Sequence, residues 1–271
     1  MENKYPIFIP TKGRWEKTLT VNAFREVNLP FKILVEPQEV DKYKLTVDEK
    51  DILILPHRDE GVTVTRNWLW DYCEGKGYKR YWTFDDNIEW FQRLHKNSFY
   101  RMKTGNFIHS LEDFVDRYEN VAIAGMQYEM FIMRRNKYQP FQVNHRIFSN
   151  MLIQTNIPFR FKTFFNEDSE LCISVLKHGL CTILFNAFQV KKITTMTMKG
   201  GNTPYYEATN NRLEFVKELH QEHPDCVKLV KRYGRWHHMI DYKRFYKKNR
   251  LIKRKDIEVP TGTNEYGMIL K

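Results

Sequence analysis

Short apolar segments alternate with helical segments along the first two-thirds of this 271-residue chain, and prolines and glycines separate them. Apolar runs that are rich in branched and aromatic side chains and bounded by turn residues are typical of buried strands. We predict strands at residues 5–10, 31–35, 51–55, 81–84, 121–126, 130–133 and 181–185. Apolar residues at helical spacing predict helices at residues 15–27, 61–75, 168–178 and 212–220. Because strands that alternate with helices build a sheet covered by helices, this order predicts an α/β fold.

Composition excludes several classes of protein. The chain is 42% hydrophobic and 15% aromatic, which favours a substantial core over disorder. No segment has the roughly 18 consecutive apolar residues that a membrane span needs, and the first residues lead into a predicted strand rather than a signal peptide. The four cysteines lack the spacing of a disulfide framework or a zinc site. We therefore expect a cytoplasmic protein with reduced thiols and no membrane partner.

The positive charge of the chain is concentrated near its C-terminus. The net charge is +11, and residues 228–255 contain twelve lysines and arginines against a single aspartate. Aromatic residues lie between these cations, as they do on surfaces that bind phosphates and stack on bases. A solvated helix face would have the same composition. On the first interpretation, the side chains expected to contact double-stranded DNA are Arg235, Lys243, Lys247, Lys248, Lys253 and Arg254.

An acidic motif, Asp85-Asp86-Asn87, directly follows the predicted strand at residues 81–84. Open α/β sheets bind ligands at the carboxyl ends of their strands. Two carboxylates and an amide are oxygen donors that suit Mn²⁺ or Mg²⁺ bound together with substrate phosphates. The same residues are common in solvent-exposed turns, so the motif alone leaves both interpretations open.

Polar residues also stand at the ends of other predicted elements. Thr11-Lys12-Gly13-Arg14 connects a strand that ends at Pro10 to a helix, a place that suits phosphate or nucleotide groups. Arg66 lies near the start of the helix that leads to the acidic strand. Glu167 and Asp168 precede an apolar helical run. Asp168 is therefore either a helix N-cap or a general base that takes a proton from an acceptor hydroxyl.

In this order, the elements resemble those of the GT-A glycosyltransferases, which bind sugar nucleotides on a Rossmann-like sheet. The resemblance covers roughly residues 5–200 and consists of the Pro-Thr-Lys-Gly-Arg loop, the Arg-Asn helix, the Asp-Asp-Asn motif and the Glu-Asp pair. It implies a GT-A (Rossmann-like) mixed sheet flanked by helices in residues 1–205. A basic helical C-terminal region, residues 206–271, is expected to pack on the same domain.

Within that group, the small size, the basic C-terminal segment and Gly200-Gly201-Asn202 resemble the phage DNA-modifying glycosyltransferases. These are the TET-associated and T-even-type enzymes that add a sugar to 5-hydroxymethylcytosine. The resemblance implies transfer of a glucose- or arabinose-type sugar from a UDP-sugar to a hydroxymethylated pyrimidine of phage DNA, in the host cytoplasm. Two alternatives remain. One is a GT-A enzyme acting on a cell-envelope polysaccharide, lipid or protein, and the other is a non-enzymatic nucleic-acid-binding protein.

The resemblance also implies roles for individual residues. The donor would be bound by Pro10, Thr11, Arg14, Arg66 and Asp85. Mn²⁺ or Mg²⁺ would be held by Asp85, Asp86 and Asn87, with His237 or His238 as candidates for a further ligand. Asn87 stands where many relatives have a third acid, so it departs from the usual pattern. Asp168 would be the catalytic base of an inverting reaction, with Glu167 orienting sugar hydroxyls.

Overall fold

The structure is a computed structural model and describes residues 4–133, 138–194, 197–201, 212–232, 234–257, 262–263 and 269–270. The strands within these ranges are Ile7–Pro10 (β1), Lys32–Val35 (β2), Ile52–Ile54 (β3), Arg80–Phe84 (β4), Ile88–His95 (β5), Ser98–Arg101 (β6), Val121–Tyr128 (β7), Phe141–Val143 (β8), Asn150–Gln154 (β9), Cys181–Lys192 (β10), Val227–Arg232 (β11), Arg235–Ile240 (β12), Gly262–Thr263 (β13) and Ile269–Leu270 (β14). The α-helices are Leu19–Glu26 (α1), Val40–Tyr43 (α2), Val62–Gly75 (α3), Asn106–Val115 (α4), Glu167–Lys177 (α5), Arg212–Glu222 (α6) and Lys243–Tyr246 (α7).

One mixed sheet organises the described chain, and most of its strands point the same way. Its order is β3-β2-β1-β4-β9-β7-β10-β5-β6, with β8 paired to the first half of β10. Strands β3, β2, β1 and β4 are mutually parallel, and β9 runs antiparallel to both β4 and β7. Since β10 is parallel to β7, the carboxyl ends of β1, β2, β3, β4, β7 and β10 lie at one edge.

The sheet is covered on both faces, which explains why its central strands are mainly apolar. All five residues of β4 are buried, and successive side chains point to opposite faces. Trp82 and Phe84 pack with Phe24 of α1 and Phe107 of α4, whereas Tyr81 packs in a second cluster with residues of α3 and α5. Helices on both faces therefore keep water from the strands and leave their carboxyl ends accessible.

The predicted fold class is confirmed as a mixed sheet flanked by helices, but some local predictions were incomplete or wrong. The elements that were not predicted from the sequence include β5, β6, β8, β9, α4 and the hairpin β11–β12. The predicted strand at residues 130–133 is wrong, because Glu129–Phe131 forms a 3₁₀ turn. The amide of Ile132 donates to the Glu129 carbonyl, so the chain leaves the sheet after Tyr128.

The basic segment is mostly not helical, contrary to the prediction. Val227–Arg232 and Arg235–Ile240 pair as the antiparallel hairpin β11–β12, and only Lys243–Tyr246 is helical in the described part of residues 228–255. Leu229 and Val230 are half-buried, whereas Lys228 and Lys231 are exposed, so the apolar residues of β11 gain more from pairing with β12 than from a helix. The hairpin packs against α5 and α6 through Ile173, Leu219 and Val227.

The division into residues 1–205 and 206–271 stays a prediction. Of the helices in the described ranges, none combines the length and the apolar character that crossing a lipid bilayer requires.

Candidate functional site

A cavity of about 620 Å³ opens at the edge of the sheet where the parallel strands end. Its wall is formed by the residues that follow β1, β4 and β10 and by the first turn of α5. The cavity is lined by all the residues predicted to bind the donor or to act in catalysis and by the whole acidic motif, namely Pro10, Thr11, Arg14, Arg66, Asp85, Asp86, Asn87, Glu167 and Asp168. Residues more than 150 positions apart in sequence thus share one concave surface of a size that holds a nucleotide-sized ligand.

The loop after β1 holds the second aspartate of the acidic motif. Arg14 forms an ion pair with Asp86, and the Thr11 hydroxyl donates to the other carboxylate oxygen of Asp86 at 2.8 Å. Tyr43 lies 2.7 Å from Thr11 Oγ1 and accepts a hydrogen bond from the Arg14 amide at 3.1 Å. Burial raises the pKa of Asp86, and Arg14 and Thr11 oppose that shift.

Late glycines close against the same loop. The Gly201 amide donates to the Lys12 carbonyl at 2.8 Å, and Arg14 donates to the Gly200 carbonyl at 3.3 Å. Gly200 has a φ of +79°, and a Cβ there would stand 2.5 Å from the Lys12 carbonyl oxygen. Only glycine fits this position, which accounts for the Gly-Gly pair that the sequence analysis singled out.

The first aspartate, Asp85, is surrounded by cations. Arg66 contacts one of its carboxylate oxygens at 3.1 Å, and Lys192 lies 3.3 Å from the other. Lys192 also contacts the Ser149 hydroxyl at 2.5 Å. Burial acts to raise the pKa of Asp85, but Lys192 and Arg66 outweigh it, so that the pKa is lowered and the carboxylate is ionised.

Helix α5 directs its two first residues, both acidic, into the cavity. Asn166 precedes it in the left-handed conformation with a φ of 55°, which asparagine tolerates better than most residues. Glu167 accepts a hydrogen bond from Arg66 at 2.7 Å, and burial raises its pKa to about 7 although Arg66 opposes that shift. Asp168 is half-buried and accepts a hydrogen bond from Ser169 at 3.0 Å. Because Asn166 is the N-cap residue and Asp168 lies inside the first turn, Asp168 does not cap the helix.

The acidic motif has the donor chemistry of a site for a hard divalent cation. Asp85, Asp86 and Asn87 supply only oxygen ligands, and the side-chain oxygen of Asn87 is buried without a hydrogen-bond partner. The amide nitrogen of Asn87 donates to the Ile193 carbonyl at 3.1 Å, which aims the oxygen away from β10. In the described part of the chain, no three His, Cys, Asp or Glu side chains form a metal-binding group. The oxygen donors of the acidic motif alone would leave positions on a cation for a substrate diphosphate and water.

Comparison with protein families agrees with this arrangement. Residues 5–201 match the family described as TET-associated glycosyltransferase. The chain belongs to this family. A search of the curated proteins found no match. The matched range ends at the Gly-Gly pair that closes on the first loop, so it contains the whole cavity wall. The protein is thus an enzyme, a glycosyltransferase, and the non-enzymatic alternative is wrong.

In this TET-associated glycosyltransferase, the histidines considered as further metal ligands lie on β12. Burial and the nearby Arg146 lower the pKa of His238 to about 4, and the charge of Asp168 acts in the opposite direction. His238 is therefore neutral and close to the start of α5. Neither His237 nor His238 lines the cavity.

The cations predicted to bind DNA lie in two different places. Arg235 is exposed on the hairpin. The hairpin runs beside α5, because Ile240 packs with Ile173 and the charge of Asp168 affects the pKa of His238. Lys253 instead bridges to Tyr118, and the Arg254 amide donates to the Arg117 carbonyl, just before β7 begins. Lys243, Lys247 and Lys248 are exposed and flank Asn249, which bonds to the Leu176 and Leu180 carbonyls at the far end of α5.

Sequence reasoning missed several residues that shape the cavity. Lys192 and Ser149 contact Asp85, and Tyr43 supports the first loop, yet each lies in a segment that reads as ordinary strand, turn or helix. Lys192 lay beyond the predicted strand at residues 181–185, because the strand of the structure extends to Lys192. Arg146 and the aromatic side chains of Phe131 and Phe148, which also line the cavity, carried no motif.

Proposed function

We propose that this enzyme transfers a sugar from a UDP-sugar to the hydroxyl of a hydroxymethylated pyrimidine in DNA, with a divalent cation bound at the acidic motif. The proposal depends on one observation in a member of this family. The same cavity contains the acidic pair Asp85 and Asp86, which cations surround, and the Asp168 carboxylate, which is suited to act as a base. The sugar is of the glucose or arabinose type.

The donor half of the cavity lies between the first loop and β4. Pro10 and Thr11 line the side on which the nucleoside would lie, and Asp85 is positioned to accept hydrogen bonds from the ribose. Arg14, Arg66 and Lys192 surround the acidic pair and balance its charge. When the bond between the sugar and the diphosphate breaks, its electron pair goes to the diphosphate, and fixed cations of this kind stabilise that charge without reorganising.

Asp85, Asp86 and Asn87 would hold Mg²⁺ or Mn²⁺ at this position. The cation supplies additional positive charge next to the leaving diphosphate. The unpartnered oxygen of Asn87 and the paired carboxylates support this assignment. The protein supplies the rest of the local charge balance through Arg14 and Lys192.

Asp168 is the proposed base. It lines the cavity from the first turn of α5, next to Glu167, which Arg66 holds in place at 2.7 Å. The acceptor oxygen forms a bond to the anomeric carbon of the sugar, the bond from that carbon to the diphosphate oxygen breaks, and the acceptor proton moves to the Asp168 carboxylate. Glu167 is placed to orient sugar hydroxyls beside the base.

The DNA acceptor is supported by a basic surface on the hairpin that runs beside α5. Lys231, Arg232 and Arg235 are exposed at the turn of the hairpin β11–β12, and β12 passes the start of α5. Phosphate contacts of this kind hold a duplex without reading its sequence. The target base is rotated out of the duplex, since an enzyme cannot otherwise enclose the reacting hydroxyl.

The test is mass spectrometry of nucleosides from DNA containing 5-hydroxymethylcytosine after incubation with the enzyme and a panel of sugar nucleotides. We expect a mass increase of one sugar on hydroxymethylcytosine with at least one UDP-sugar. Cytosine DNA is the matched control and should remain unmodified, because it has no hydroxymethyl group. Transfer to polysaccharide, lipid or protein acceptors with none to hydroxymethylated DNA would contradict the proposal and favour the cell-envelope alternative.

A further inference from the structure

Exposed apolar side chains are concentrated at one side of the cavity mouth. Met130, Phe131 and Met133 are 56%, 51% and 51% exposed, and they lie in the short segment that leaves the sheet after β7. Met130 and Phe131 line the cavity itself. The nucleoside of the donor would lie on the side of Pro10 and Thr11, so it does not account for these residues, and exposed apolar groups that cluster at a cleft mark a binding site.

Three aromatic rings on this side of the cavity contact one another and form an aromatic wall. The ring of Phe131 lies 5.9 Å from that of Phe148 at 75°, and 5.6 Å from that of Tyr128 at 88°. The Arg146 guanidinium lies 4.3 Å from the centre of the Phe148 ring. Aromatic faces and a stacked guanidinium are the groups on which unstacked bases rest in proteins that bind single-stranded nucleic acid.

This aromatic wall is directly connected to the reacting centre. The Lys192 ammonium lies 5.6 Å from the Tyr128 ring centre and 6.0 Å from that of Phe148, and 3.3 Å from the Asp85 carboxylate. A ring held on the wall would therefore lie in the same cavity as Asp85 and Asp168.

We propose that Phe131, Phe148 and Arg146 form the pocket that receives the target base of the acceptor DNA after it leaves the duplex. The inference rests on the proposed function and assigns its acceptor subsite. Phe131 and Phe148 supply apolar ring surface for the base, and Arg146 supplies positive charge for the phosphate beside it. Aromatic rings alone would bind a neutral glycan as well as a base. The positive charge of Arg146 favours a nucleotide, because a nucleotide carries a phosphate.

The central variant is Phe131→Ala, because Phe131 is half exposed and its loss leaves the core intact. We expect the KM for hydroxymethylated DNA to rise about 5- to 150-fold, the loss typical of one base–aromatic stack. The KM for the UDP-sugar should stay unchanged, since the donor half of the cavity is untouched. Phe131→Tyr keeps the ring and should remain within a few-fold of the wild type.

Tyr100→Ala is the matched control, because Tyr100 is 52% exposed on β6 and does not line the cavity. A second readout is the fluorescence of 2-aminopurine placed next to the target base, which increases when that base leaves the stack. We expect the increase for the wild type, Phe131→Tyr and Tyr100→Ala, and a much smaller one for Phe131→Ala.

The two proposals fail in different ways. Normal sugar transfer and a normal fluorescence increase for Phe131→Ala would overturn the base pocket and leave the proposed function intact. Absence of transfer to hydroxymethylated DNA by the wild type would overturn both proposals. A Phe131→Ala variant that loses affinity for a glycan acceptor but not for DNA would assign the wall to a sugar acceptor instead.

Discussion

Arg66 is the residue that joins the two halves of the cavity. Its guanidinium contacts Asp85 at 3.1 Å and Glu167 at 2.7 Å, and thus links the end of β4 to the start of α5. The side chain is only 8% exposed, so both ion pairs are largely shielded from water. Because a planar guanidinium offers several donors in a fixed geometry, one side chain can position both carboxylates, which a lysine would not do equally well.

Substitution of Asp168 by asparagine tests the proposed base. We expect Asp168→Asn to retain UDP affinity and to lose turnover by about 10²–10⁴-fold, because the amide has nearly the same shape but cannot accept the proton. Steady-state turnover and UDP binding by calorimetry are the measurements. Asp41→Asn, on the exposed side of α2, is the control and should retain full activity. Turnover of Asp168→Asn within a few-fold of the wild type would contradict the role as a base.

Metal dependence of donor binding tests the role of Asp86. We expect UDP to bind at least about tenfold more tightly with Mn²⁺ or Mg²⁺ than with chelator, equivalent to ~1.4 kcal/mol. Asp86→Ala should remove most of this difference, since it deletes a carboxylate ligand. Asp48→Ala is the control, because Asp48 is exposed and lies outside the cavity. Equal UDP affinity with and without the cation in the wild-type enzyme would remove the metal from the mechanism.

At the scale of elements, α4 carries a buried acid on the face of the sheet opposite α3 and α5. Glu112 is fully buried and accepts a hydrogen bond from Trp82 Nε1 at 2.9 Å. The imidazole of His109 lies 3.4 Å from the other carboxylate oxygen of Glu112, and Lys4 is close enough for its charge to act on this carboxyl group. Burial raises the pKa of Glu112 to about 7 from an ordinary value of 4.5, although Trp82 and Lys4 oppose that shift.

This raised pKa predicts a loss of stability with increasing pH. Between pH 4.5 and pH 7 the folded protein keeps a proton on Glu112 that the unfolded chain releases, so the free energy of unfolding falls as the pH rises through this window. The full effect of this group is about 3 kcal/mol. Glu112→Gln keeps the acceptor for Trp82 and cannot ionise. Urea unfolding of both proteins at pH 4.5 and pH 8 should therefore show a smaller pH effect in the variant; equal pH effects would mean that folding does not raise the pKa of Glu112.

At the scale of the whole molecule, the cations predicted to bind DNA are divided between opposite ends of the sheet. Arg235 belongs to the hairpin that passes the start of α5, near the cavity. Lys253 lies beside Tyr118 and just before the first residue of β7. Strand β7 has eight residues, which span about 26 Å at ~3.3 Å per residue, so these two groups cannot contact the same few phosphates.

Two charge-neutralised variants separate these surfaces. Lys231, Arg232 and Arg235 changed together to glutamine should flatten the slope of log affinity against log salt by up to about 2.7, since each phosphate contact contributes about 0.9 on duplex DNA. The matched variant changes Lys247, Lys248 and Lys253 and removes the same charge from the distant surface. We expect it to leave the slope nearly unchanged, as measured by fluorescence anisotropy at several salt concentrations.

Sugar-nucleotide hydrolysis without acceptor should be unaffected in both variants, because the donor half of the cavity contains none of these six residues. A flattened slope in the distant variant alone would place the duplex at the amino ends of the strands. That outcome would contradict the proposal that the hairpin binds DNA. It would favour a DNA-binding surface formed by Lys247, Lys248 and Lys253.

Much of the sheet and of the donor site was predictable from the sequence because it depends on local patterns. Runs such as Tyr81–Phe84 are mainly apolar because both faces of the strand are covered, and they can be recognised without knowledge of the partner strands. Polar residues directly after such strands, such as Asp85 and Asp86, must lie at the edge of the sheet where ligands bind. Fold class and the acidic motif followed from these two rules.

The remaining features depend on contacts between distant residues, which local patterns do not encode. In the sequence, nothing distinguishes Lys192 from other strand residues. In the fold, β10 places it beside Asp85, which lies 107 positions away in the chain. Phe131 looks like part of an apolar strand, and only the turn at Glu129–Phe131 exposes it at the cavity. The basic segment has one composition throughout, yet its packing on α5 sends Arg235 and Lys253 to different ends of the molecule. The order of apolar and polar residues therefore determined the fold class and the position of the acidic motif at the edge of the sheet. The long-range pairing of the strands determined which cations and aromatic rings lie beside that motif.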